Sequence, residues 1–378
     1  MKPLHGLHLL DSLNAVIPQQ WDALTDHNPF VSHAFFSALH EAGCASPRSG
    51  WSPCFPTLWE SGELVAALPL YLKTHSYGEY VFDWAWADAY QRHGLDYYPK
   101  LLSAVPFTPV TGPRLMAARP ELRQHLIGAA LDFARQTGAS SFHCLFPDEI
   151  NEFKSAGLLL RDSVQFHWRN EGFHDFEDFI TRMNHEKRKK IRQERRKVRD
   201  AGVTFHWHTG ETASTTDWEF FVRCYERTYQ LHHSTPYLNL DFFLRLARNM
   251  PRNLLLMVGS RDGQAIAAAL NVMSEHTLYG RYWGATEFHS GLHFETCYYQ
   301  SIEYCIAHGL QVFEGGAQGE HKLARGLTPV TTHSAHWLAR PEFSDAVAQF
   351  LSRERRGIVR YVDELGEHSP FKQPIRSL

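Results

Sequence analysis

The sequence predicts an α+β (mixed α/β) protein built from two copies of one domain, each a mixed central sheet flanked by helices. Residues 28–39 read NPFVSHAFFSAL and residues 235–246 read TPYLNLDFFLRL. The two segments align without a gap, so that Phe35-Phe36 falls on Phe242-Phe243. They lie about 207 residues apart, far beyond the ~20–50 residues of a solenoid repeat, which indicates a duplicated domain.

Further features follow both segments in the same order. A predicted hairpin comes first, at residues 55–72 and 254–272, because apolar runs flank a short turn in each. Each hairpin leads to a predicted strand that begins with a tyrosine–glycine pair, and then to a predicted helix with paired tyrosines. These pairs are Tyr77-Gly78 and Tyr279-Gly280, then Tyr97-Tyr98 and Tyr298-Tyr299. A duplication brings a cleft between the copies, and such clefts commonly hold ligands.

Hydrophobic period and turn signals divide the chain into elements. Copy one covers residues 1–165, copy two covers 166–340, and residues 341–378 form a last helix (about 342–364) and an extended tail. In copy one we expect strands near 55–60, 64–73, 79–86 and 140–146, and helices near 32–42, 97–104 and 120–137. In copy two we expect helices at 176–200 and near 217–232, and strands near 203–208, 253–260, 265–274, 277–285 and 310–315.

Composition is typical of a soluble globular protein with two domains. The 378 residues exceed the ~250–300 at which a single core stops growing, and 43% of them are hydrophobic. No apolar run approaches the ~18 residues of a membrane helix, and the N-terminus lacks the apolar core of a signal peptide. The six cysteines form no CxxC pair, as expected of reduced thiols. We therefore expect a cytoplasmic protein without an integral membrane segment.

Positive charge is concentrated in one run, although the net charge is only −3. Residues 187–199, KRKKIRQERRKVR, contain nine Lys/Arg and one Glu within a helix predicted at 176–200. One interpretation is a solvated helix that joins the two copies. The other is an anion-binding helix for the phosphates of RNA, a nucleotide or a membrane surface. In that case the phosphate ligands would include Lys187, Arg188, Lys190 and Arg192.

Histidine is abundant, with 24 residues, but no metal site is predicted. His289 and His293 have the i,i+4 spacing of a zinc half-site, yet Gly291 lies between them in a segment that reads as a loop. No third ligand with motif spacing is present, so scattered surface and hydrogen-bonding histidines are the preferred interpretation.

The most distinctive part of the sequence is the run 294–327. Its predicted helix ends at His308-Gly309, where glycine can adopt the left-handed cap. A short strand follows, and then a glycine-rich turn that carries Glu320, His321 and Lys322, with Arg325 just beyond.

This run resembles the Fem-type (FemABX-like) transferases, which are tandem acyltransferases of the GNAT fold. The resemblance rests on the helix end Ala307–Gly309, the strand end Glu314-Gly315-Gly316, and Lys322 within GEHKLARGL. The basic run is similar to the helix that opens the second domain in that family. Longer strings at residues 75–90, 97–115 and 316–326 look closer still to a bacterial FemAB-like subfamily described as peptidoglycan biosynthesis/recognition. The resemblance covers nearly the whole chain.

The resemblance implies two tandem GNAT-like domains that transfer an acyl or aminoacyl group to an amine, such as a peptidoglycan precursor or a small molecule. The co-substrate would be acyl-CoA or aminoacyl-tRNA, the tRNA held through the basic helix, with no tightly bound cofactor. Donor phosphates would sit at a helix start, in loop 285–293 or 87–96. Both loops lack the Q/R-x-x-G-x-G/A fingerprint of acetyl-CoA enzymes, and only Gly291 remains. His321 stands where the family has Phe or Tyr, a departure from the pattern that argues against aminoacyl-tRNA as the donor.

The residues of the glycine-rich turn are the catalytic candidates. The resemblance implies that Lys322 is a cation near the donor phosphate or the leaving-group oxygen, and the alternative is a surface lysine in a loop. His321 and Glu320 are candidate general bases, since histidine titrates near neutrality. Glu295 begins a helix, where a carboxylate also stabilises the helix dipole.

By the same analogy the first copy would bind the acceptor and the second the donor. In copy one the predicted substrate-binding residues are Lys73, Asp83, Trp86, Asp88, Tyr90 and Arg114. In copy two they are Arg281, Tyr282, Glu295 and Arg325. Alternation along the predicted strand 79–86 would place Asp83 on one face and Trp84 on the other; a hydrogen-bonded core or rim acid is the alternative.

Two functions follow for testing. The first is a cytoplasmic acyl- or aminoacyltransferase whose active site lies in copy two and faces copy one. The second is a non-catalytic recognition module that binds a cell-wall precursor or RNA, which the missing phosphate fingerprint favours.

Overall fold

A computed structural model describes residues 5–317, 319–367 and 370–372. The chain divides into two compact units. Unit 1 comprises the residues up to Ser163 together with Thr331–Val359, and unit 2 comprises Val164–Val330 with the residues from Arg360 onward. The predicted boundary at 165/166 lies near this division, but residues 331–359 belong to unit 1 and not to the second copy or a separate C-terminal segment.

The bounds of the regular elements are as follows. The strands are β1 (Gly6–Leu10), β2 (Trp51–Pro53), β3 (Phe55–Glu60), β4 (Glu63–Ala67), β5 (Tyr71–Lys73), β6 (Lys100–Ser103), β7 (Met116–Ala117), β8 (Ser141–Leu145), β9 (Leu159–Arg169), β10 (Val203–Thr209), β11 (Leu254–Arg261), β12 (Gln264–Met273), β13 (Thr277–Ala285), β14 (Val312–Ala317) and β15 (Thr328–Leu338). The helices are α1 (Pro18–Asp22), α2 (His33–Glu41), α3 (Trp84–Arg92), α4 (Leu122–Thr137), α5 (Ile150–Ser155), α6 (Phe176–Thr181), α7 (His185–Asp200), α8 (Thr215–Leu231), α9 (Leu240–Asn249), α10 (Leu292–Phe294), α11 (Gln300–His308) and α12 (Pro341–Glu367). A π turn at Glu295–Tyr299 joins α10 to α11, and short 3₁₀ turns occupy Pro29–Val31, Pro47–Ser49, Pro251–Asn253 and Glu320–Arg325.

Unit 1 contains the sheet β1–β3–β4–β7 and a second set of strands in the order β15–β8–β6–β5–β2. In the second set β5 is antiparallel to β6, β6 is parallel to β8, and β8 is antiparallel to β15. This register aligns Leu102 with His143 and His143 with His336. Helix α4 lies in the chain between the two parallel strands, as a parallel connection requires.

Unit 2 repeats this pairing in the strand order β10–β11–β12–β13–β14–β9. Strand β12 is antiparallel to β13, β13 is parallel to β14, and β14 is antiparallel to β9. The equivalent register row aligns Tyr279 with Glu314 and Glu314 with His167. The duplication therefore extends from the aromatic repeat, in which Phe36 and Phe243 are fully buried, to the strand pairing.

Two elements predicted for copy one are wrong. Residues 79–86 do not form a strand, because Trp86 and Tyr90, four residues apart, are the buried positions of helix α3. Residues 97–104 do not form a helix, since Lys100–Ser103 pair with β5 and β8 as β6. The helix between the parallel strands of unit 1 is α4. The antiparallel strands β5 and β6 are joined by residues 74–99, whereas the matching strands β12 and β13 of unit 2 are joined by residues 274–276 only.

The basic helix predicted at 176–200 is two helices, α6 and α7. Residues 182–184 interrupt it, because the side chain of Asn184 accepts a hydrogen bond from the N–H of Lys187 at 3.0 Å and so caps α7. Ile191 and Val198 form the buried face of α7. Helices predicted near 32–42, 120–137, 217–232 and 342–364 are confirmed within a few residues, and so are the strands predicted in copy two.

The C-terminal tail is described only in part. The N–H of Asn184 donates to the carbonyl of Pro370 at 2.9 Å, and the N–H of Lys372 donates to the carbonyl of Arg182 at 3.0 Å. The remainder of the predicted extended tail, residues 368–369 and 373–378, lies outside the described residues. Among the helices that the structure describes, none combines the length and apolarity needed to cross a lipid bilayer.

Candidate functional site

Lys322 is buried at the end of the glycine-rich turn of unit 2. Strand β14 ends at Ala317, and a 3₁₀ turn over Glu320–Arg325 is closed by Gly326 with a φ of 88°. The Lys322 side chain is only 2% exposed, and its Nζ donates to the carbonyl of Gly316 at 2.8 Å. The surface-lysine alternative is therefore wrong. A buried ammonium costs free energy unless it is paired and hydrogen-bonded, and strongly perturbed groups of this kind are concentrated at functional sites.

Neighbouring charges set the protonation of Lys322. Burial and, to a smaller extent, Arg281 lower the pKa of Lys322 to about 8, while Glu314 opposes both. Arg281 Nη2 donates to Glu314 Oε1 at 2.8 Å, and both side chains are nearly inaccessible. They project from the parallel strands β13 and β14. Near neutral pH Lys322 can therefore act as a hydrogen-bond donor and also exchange a proton, which an ordinary lysine does poorly.

The other two residues of the predicted catalytic group lie at the surface. The ring of His321 is exposed, and its Nε2 lies 3.1 Å from the hydroxyl of Tyr298. Burial lowers the pKa of His321, as do Arg325 and Lys322, so the ring is neutral at neutral pH and can accept a proton. Glu320 accepts a hydrogen bond from the hydroxyl of Tyr361 at 2.9 Å.

Arg325 anchors the turn to helix α7. Its Nη2 lies 3.0 and 3.1 Å from the two carboxylate oxygens of Glu194, which also accepts from the hydroxyl of Tyr299. Its Nη1 donates to the carbonyl of His321 at 2.7 Å, and its guanidinium lies 3.3 Å from the ring centroid of Phe294. Arg325 is 3% exposed, so its predicted substrate contact is replaced by a positioning role.

The π turn aims several side chains at this region. Tyr298 reaches His321, Tyr299 reaches Glu194, and Glu295 reaches Arg195. Glu295 is 4% exposed and also accepts from Gln300 Nε2 at 2.8 Å, so it is an ion-pair partner of α7 instead of an open substrate ligand. One inserted residue changes the direction of every later side chain on a helix, and such turns are frequent at functional sites.

A basic groove of about 1310 Å³ runs along α7 in unit 2. Its lining includes the cations Arg188, Lys189, Arg192, Arg195, Arg196 and Arg199, and the aromatic rings of Phe176, Phe205 and Trp207. Arg192 pairs with Glu177, and Arg195 pairs with Glu295 and Glu303. Within the described part of the chain, Lys189, Arg196 and Arg199 form no ion pair, which leaves their charge available to a phosphate-bearing ligand.

Only part of the predicted phosphate set lines this groove. Arg188 and Arg192 do, whereas Lys187, Lys190 and Gly291 are not among its lining residues. Gly291 has a φ of 91°, and a Cβ there would lie 3.3 Å from the carbonyl oxygen of Glu194, so glycine is required for conformation and close packing. Tyr282 packs on Tyr225 and Phe243 in the aromatic core.

The predicted acceptor residues of unit 1 do not lie in one common pocket. Lys73 and Asp83 belong to one buried ionic cluster, described below, and the ring of Trp86 lies beside His143 and His336. Asp88 is exposed on α3, and Tyr90 packs on Phe343. Arg114 is fully engaged with backbone, donating to carbonyls of Val110, Gly112, Pro113 and Leu145, so it does not line an open pocket.

Sequence reasoning missed Glu194, Tyr299, Glu314 as the partner of Arg281, and the groove residues Arg196 and Arg199. One signal for Glu194 was present, since it is the single acid in the run 187–199. A single acid among many cations on one helix suggests an ion-pair partner on another element. For Glu194 that partner is Arg325.

Comparison with solved structures relates the whole fold to known proteins. FemX matches at a TM-score of 0.52 with 10% identity, over 89% of this chain and 98% of FemX. L-PGS from Bacillus licheniformis matches at a TM-score of 0.49 with 11% identity, over 86% of this chain and 98% of that one. A tandem GNAT protein from the clavulanic acid pathway matches at 0.46 with 11% identity, over 89% and 98%. The match to FemX, at a TM-score above 0.5, confirms the predicted fold class.

Comparison of the sequence with known proteins identifies a family but no individual relative. A family model described as peptidoglycan biosynthesis/recognition, FemAB_like, matches residues 12–373. No curated protein matches the chain.

Proposed function

The chain belongs to the FemAB-like family of peptidoglycan biosynthesis/recognition proteins, and from this premise we propose that it is an acyl- or aminoacyltransferase whose transfer site lies at Lys322 in unit 2. The observation that supports the proposal is the buried Lys322 beside the Arg281–Glu314 ion pair, at the end of the parallel strand pair. A solvent-exposed lysine in the same loop would not support a transfer site.

The proposed reaction joins an acceptor amine to a carrier-bound acyl group. The amine nitrogen attacks the acyl carbon, the bond from that carbon to the carrier oxygen or sulfur breaks, and one proton passes from the amine to the leaving group. The Lys322 ammonium donates to the acyl or leaving-group oxygen as negative charge develops there. His321, neutral and exposed, accepts the proton from the acceptor amine.

The basic groove supplies a place for the carrier. Acyl-CoA and aminoacyl-tRNA both carry phosphates, and Lys189, Arg196 and Arg199 offer unpaired charge beside aromatic faces on which bases can stack. Helix α7 contributes to both places, because it lines the groove and also holds the Lys322 turn through Glu194. The acceptor is proposed to be a peptidoglycan-precursor amine or a small-molecule amine, in keeping with the family description.

Single-turnover assays with pure protein test the proposal. The donors are radiolabelled acetyl-CoA, longer acyl-CoAs and bulk charged tRNA, and the acceptors are peptidoglycan precursors and simple amines. Lys322→Met should reduce transfer at least ~100-fold with little change in melting temperature, as expected when a charge-stabilising group is lost. The matched control Lys154→Met, at an exposed position on α5, should leave transfer unchanged.

The alternative function is a non-catalytic recognition module, which the missing acetyl-CoA fingerprint favours. Saturable binding of precursor or RNA without turnover of any donor would support that alternative and contradict the transferase. Loss of folding in Lys322→Met would instead make the residue structural, and Lys322→Arg would then show whether a cation alone restores transfer.

A further inference from the structure

Unit 1 buries a cluster of ionised and ionisable side chains that the proposed transfer site does not use. Some of its members project from strands β5, β6, β8 and β15, and others belong to the connection between β5 and β6. The members are Lys73, Glu79, Asp83, Tyr97, Lys100, His143 and His336, each at most 4% exposed. Ion pairs buried to this degree seldom add stability over apolar packing, so their presence calls for another reason.

Lys100 is the centre of the cluster and is fully satisfied. Its Nζ donates to Ser76 Oγ at 2.7 Å, to Glu79 Oε2 at 2.7 Å, and to Asp83 Oδ2. An ammonium has three N–H donors, so none remains. The carboxylates hold the charged form of Lys100 against the burial that opposes it, and its pKa is raised.

A hydrogen-bonded chain continues from Asp83. The hydroxyl of Tyr97 donates to Asp83 Oδ2 at 2.6 Å, and its oxygen lies 2.9 Å from His143 Nε2. His143 Nδ1 lies 2.8 Å from His336 Nδ1. Burial lowers the pKa of His143 to about 3 and that of His336 well below its usual value, so both rings are neutral. The histidines therefore cannot serve as the missing cations of the cluster.

Two buried acceptor atoms remain without a donor. Glu79 Oε1 and Asp83 Oδ1 accept no hydrogen bond from any side chain or backbone group that the structure describes. Lys73 Nζ lies 3.8 Å from Glu79 Oε1, too far for a hydrogen bond, and donates only to the carbonyl of Tyr77 at 3.3 Å. A buried carboxylate oxygen without a donor is costly, so a group that carries N–H donors is favoured beside each of them.

Aromatic rings complete this environment. The ring centroid of Trp51 lies 3.7 Å from Lys73 Nζ, and those of Tyr97 and Tyr98 lie 5.5 and 5.9 Å from Lys100 Nζ. Carboxylates combined with aromatic faces are the surroundings that alkylammonium groups prefer. In the overlying segment Tyr77 and Phe82 are 56% and 54% exposed.

We propose that unit 1 holds a second ligand site, beneath residues 74–83, in which Glu79 and Asp83 receive the ammonium group of an amine-bearing ligand against the ring of Trp51. In the present structure the side chain of Lys73 occupies the position over Trp51 that such a ligand would take. The assignment rests on unit 1 alone, and only the use of the bound amine as the acyl acceptor rests on the proposed function.

Competition with Lys73 distinguishes this site from a purely structural network. Burial lowers the pKa of Lys73 to about 7, so near neutrality its charge is easily lost, and the position over Trp51 then holds no cation. Replacing Lys73 by methionine should therefore strengthen binding of an external ammonium. A structural network would predict the opposite, a weakened unit 1 with no gain of binding.

The test titrates the full chain with n-butylammonium chloride and follows binding by saturation-transfer NMR and by the shift in melting temperature. Butan-1-ol, of similar shape without charge, and sodium chloride at equal ionic strength are the ligand controls. We expect saturable 1:1 binding of the ammonium only, tightened several-fold in Lys73→Met and weakened about tenfold or more in Glu79→Gln, the loss expected for a hydrogen bond to a charged group. The control Glu63→Gln, at an exposed position of β4, should bind as the wild type does.

Either of two results would overturn the site. One is the absence of saturable ammonium binding to both the wild type and Lys73→Met. The other is equal binding of butan-1-ol and the ammonium. If Glu79→Gln fails to fold, Asp83→Asn replaces it, and the wild-type and Lys73→Met titrations decide the question by themselves. None of these outcomes depends on transfer at Lys322, so a failed transferase assay and a failed ammonium site are told apart.

Discussion

Both carboxylate oxygens of Glu194 lie within 3.1 Å of Arg325 Nη2, so one helix residue holds the turn that carries Lys322. Glu194→Gln should leave the buried guanidinium of Arg325 without a counter-charge. We expect a loss of about 2–3 kcal/mol in the free energy of unfolding, below the full cost of breaking a buried pair because Glu194 is 15% exposed. Urea denaturation measures it, with Glu186→Gln on the exposed face of α7 as the control. Equal stability of the two variants would contradict the anchoring role.

Gly284 and Gly128 offer a matched pair of backbone tests. A Cβ at Gly284 of β13 would lie 2.0 Å from the carbonyl oxygen of Cys224 on α8, so Gly284→Ala should cost about 3 kcal/mol or more. A Cβ at Gly128 of α4 meets nothing within 4 Å, so Gly128→Ala should gain about 0.5–1 kcal/mol from helix propensity. Thermal or urea denaturation of both variants checks the prediction. A tolerated alanine at 284 would show that α8 and β13 are not in close contact.

The buried pair of unit 1 should give the protein an unusual pH dependence. Burial raises the pKa of Glu79 from 4.5 to about 7 and lowers that of Lys73 from 10.5 to about 7. Between pH 4.5 and 7 the folded state binds the Glu79 proton that the unfolded state has lost, so stability falls as pH rises. Between pH 7 and 10.5 the unfolded state binds the Lys73 proton, so stability rises with pH.

These two groups together therefore contribute a stability minimum near pH 7. The free energy of unfolding is measured from pH 5 to 10 for the wild type and for the double variant Lys73→Met/Glu79→Gln. The stability of the wild type relative to the double variant should pass through a minimum near pH 7, with a depth on the order of 1–3 kcal/mol. The double variant removes both charges at once, so other titrating groups cancel in the comparison. A difference that is flat with pH would exclude this account.

The groove along α7 predicts a salt-dependent affinity for polyanions. Replacing Lys189, Arg196 and Arg199 by glutamine should weaken binding of poly(U) or bulk tRNA. The slope of log affinity against log salt should become shallower by about 2, since each lost phosphate contact reduces it by ~0.7–0.9. Filter binding from 50 to 300 mM salt measures it, with Arg248→Gln, exposed on α9, as the control. An unchanged slope would place polyanion binding elsewhere or rule it out.

Local patterns were enough to predict a large part of the fold. Phe35-Phe36 and Phe242-Phe243 recur because the same helix packs the same way in both units, and apolar period defined most elements of copy two. Lys322 could be singled out because the run around it resembles the lysine-bearing segment of the Fem-type transferases. Where the conformation of a segment depends on the spacing of apolar residues within that segment, the sequence is enough to predict it.

Other features depend on partners far along the chain. Asp83 was assigned to a strand because its acidic side chain alternates with aromatics, whereas in the structure Lys100 and Tyr97 draw it inward and α3 begins immediately after it. The burial of Lys322 depends on strands that precede it by tens of residues. The inward direction of Glu194 depends on Arg325, 131 residues later. No local period reports such pairings.

The placement of residues 331–359 in unit 1 has a consequence for synthesis of the chain. His336, which contacts His143 in the hydrogen-bonded row of unit 1, lies on strand β15. This strand emerges from the ribosome only after all of Val164–Val330. Unit 1 therefore cannot reach its native state when its first 163 residues are complete. Until β15 is synthesised, the edge of β8 that pairs with β15 has no partner strand. Unit 2 holds nearly all of its own residues earlier. In this protein the amino-terminal part cannot complete its fold before the rest of the chain is made, so cutting the chain after residue 165 should yield an unfolded fragment and not an autonomous domain.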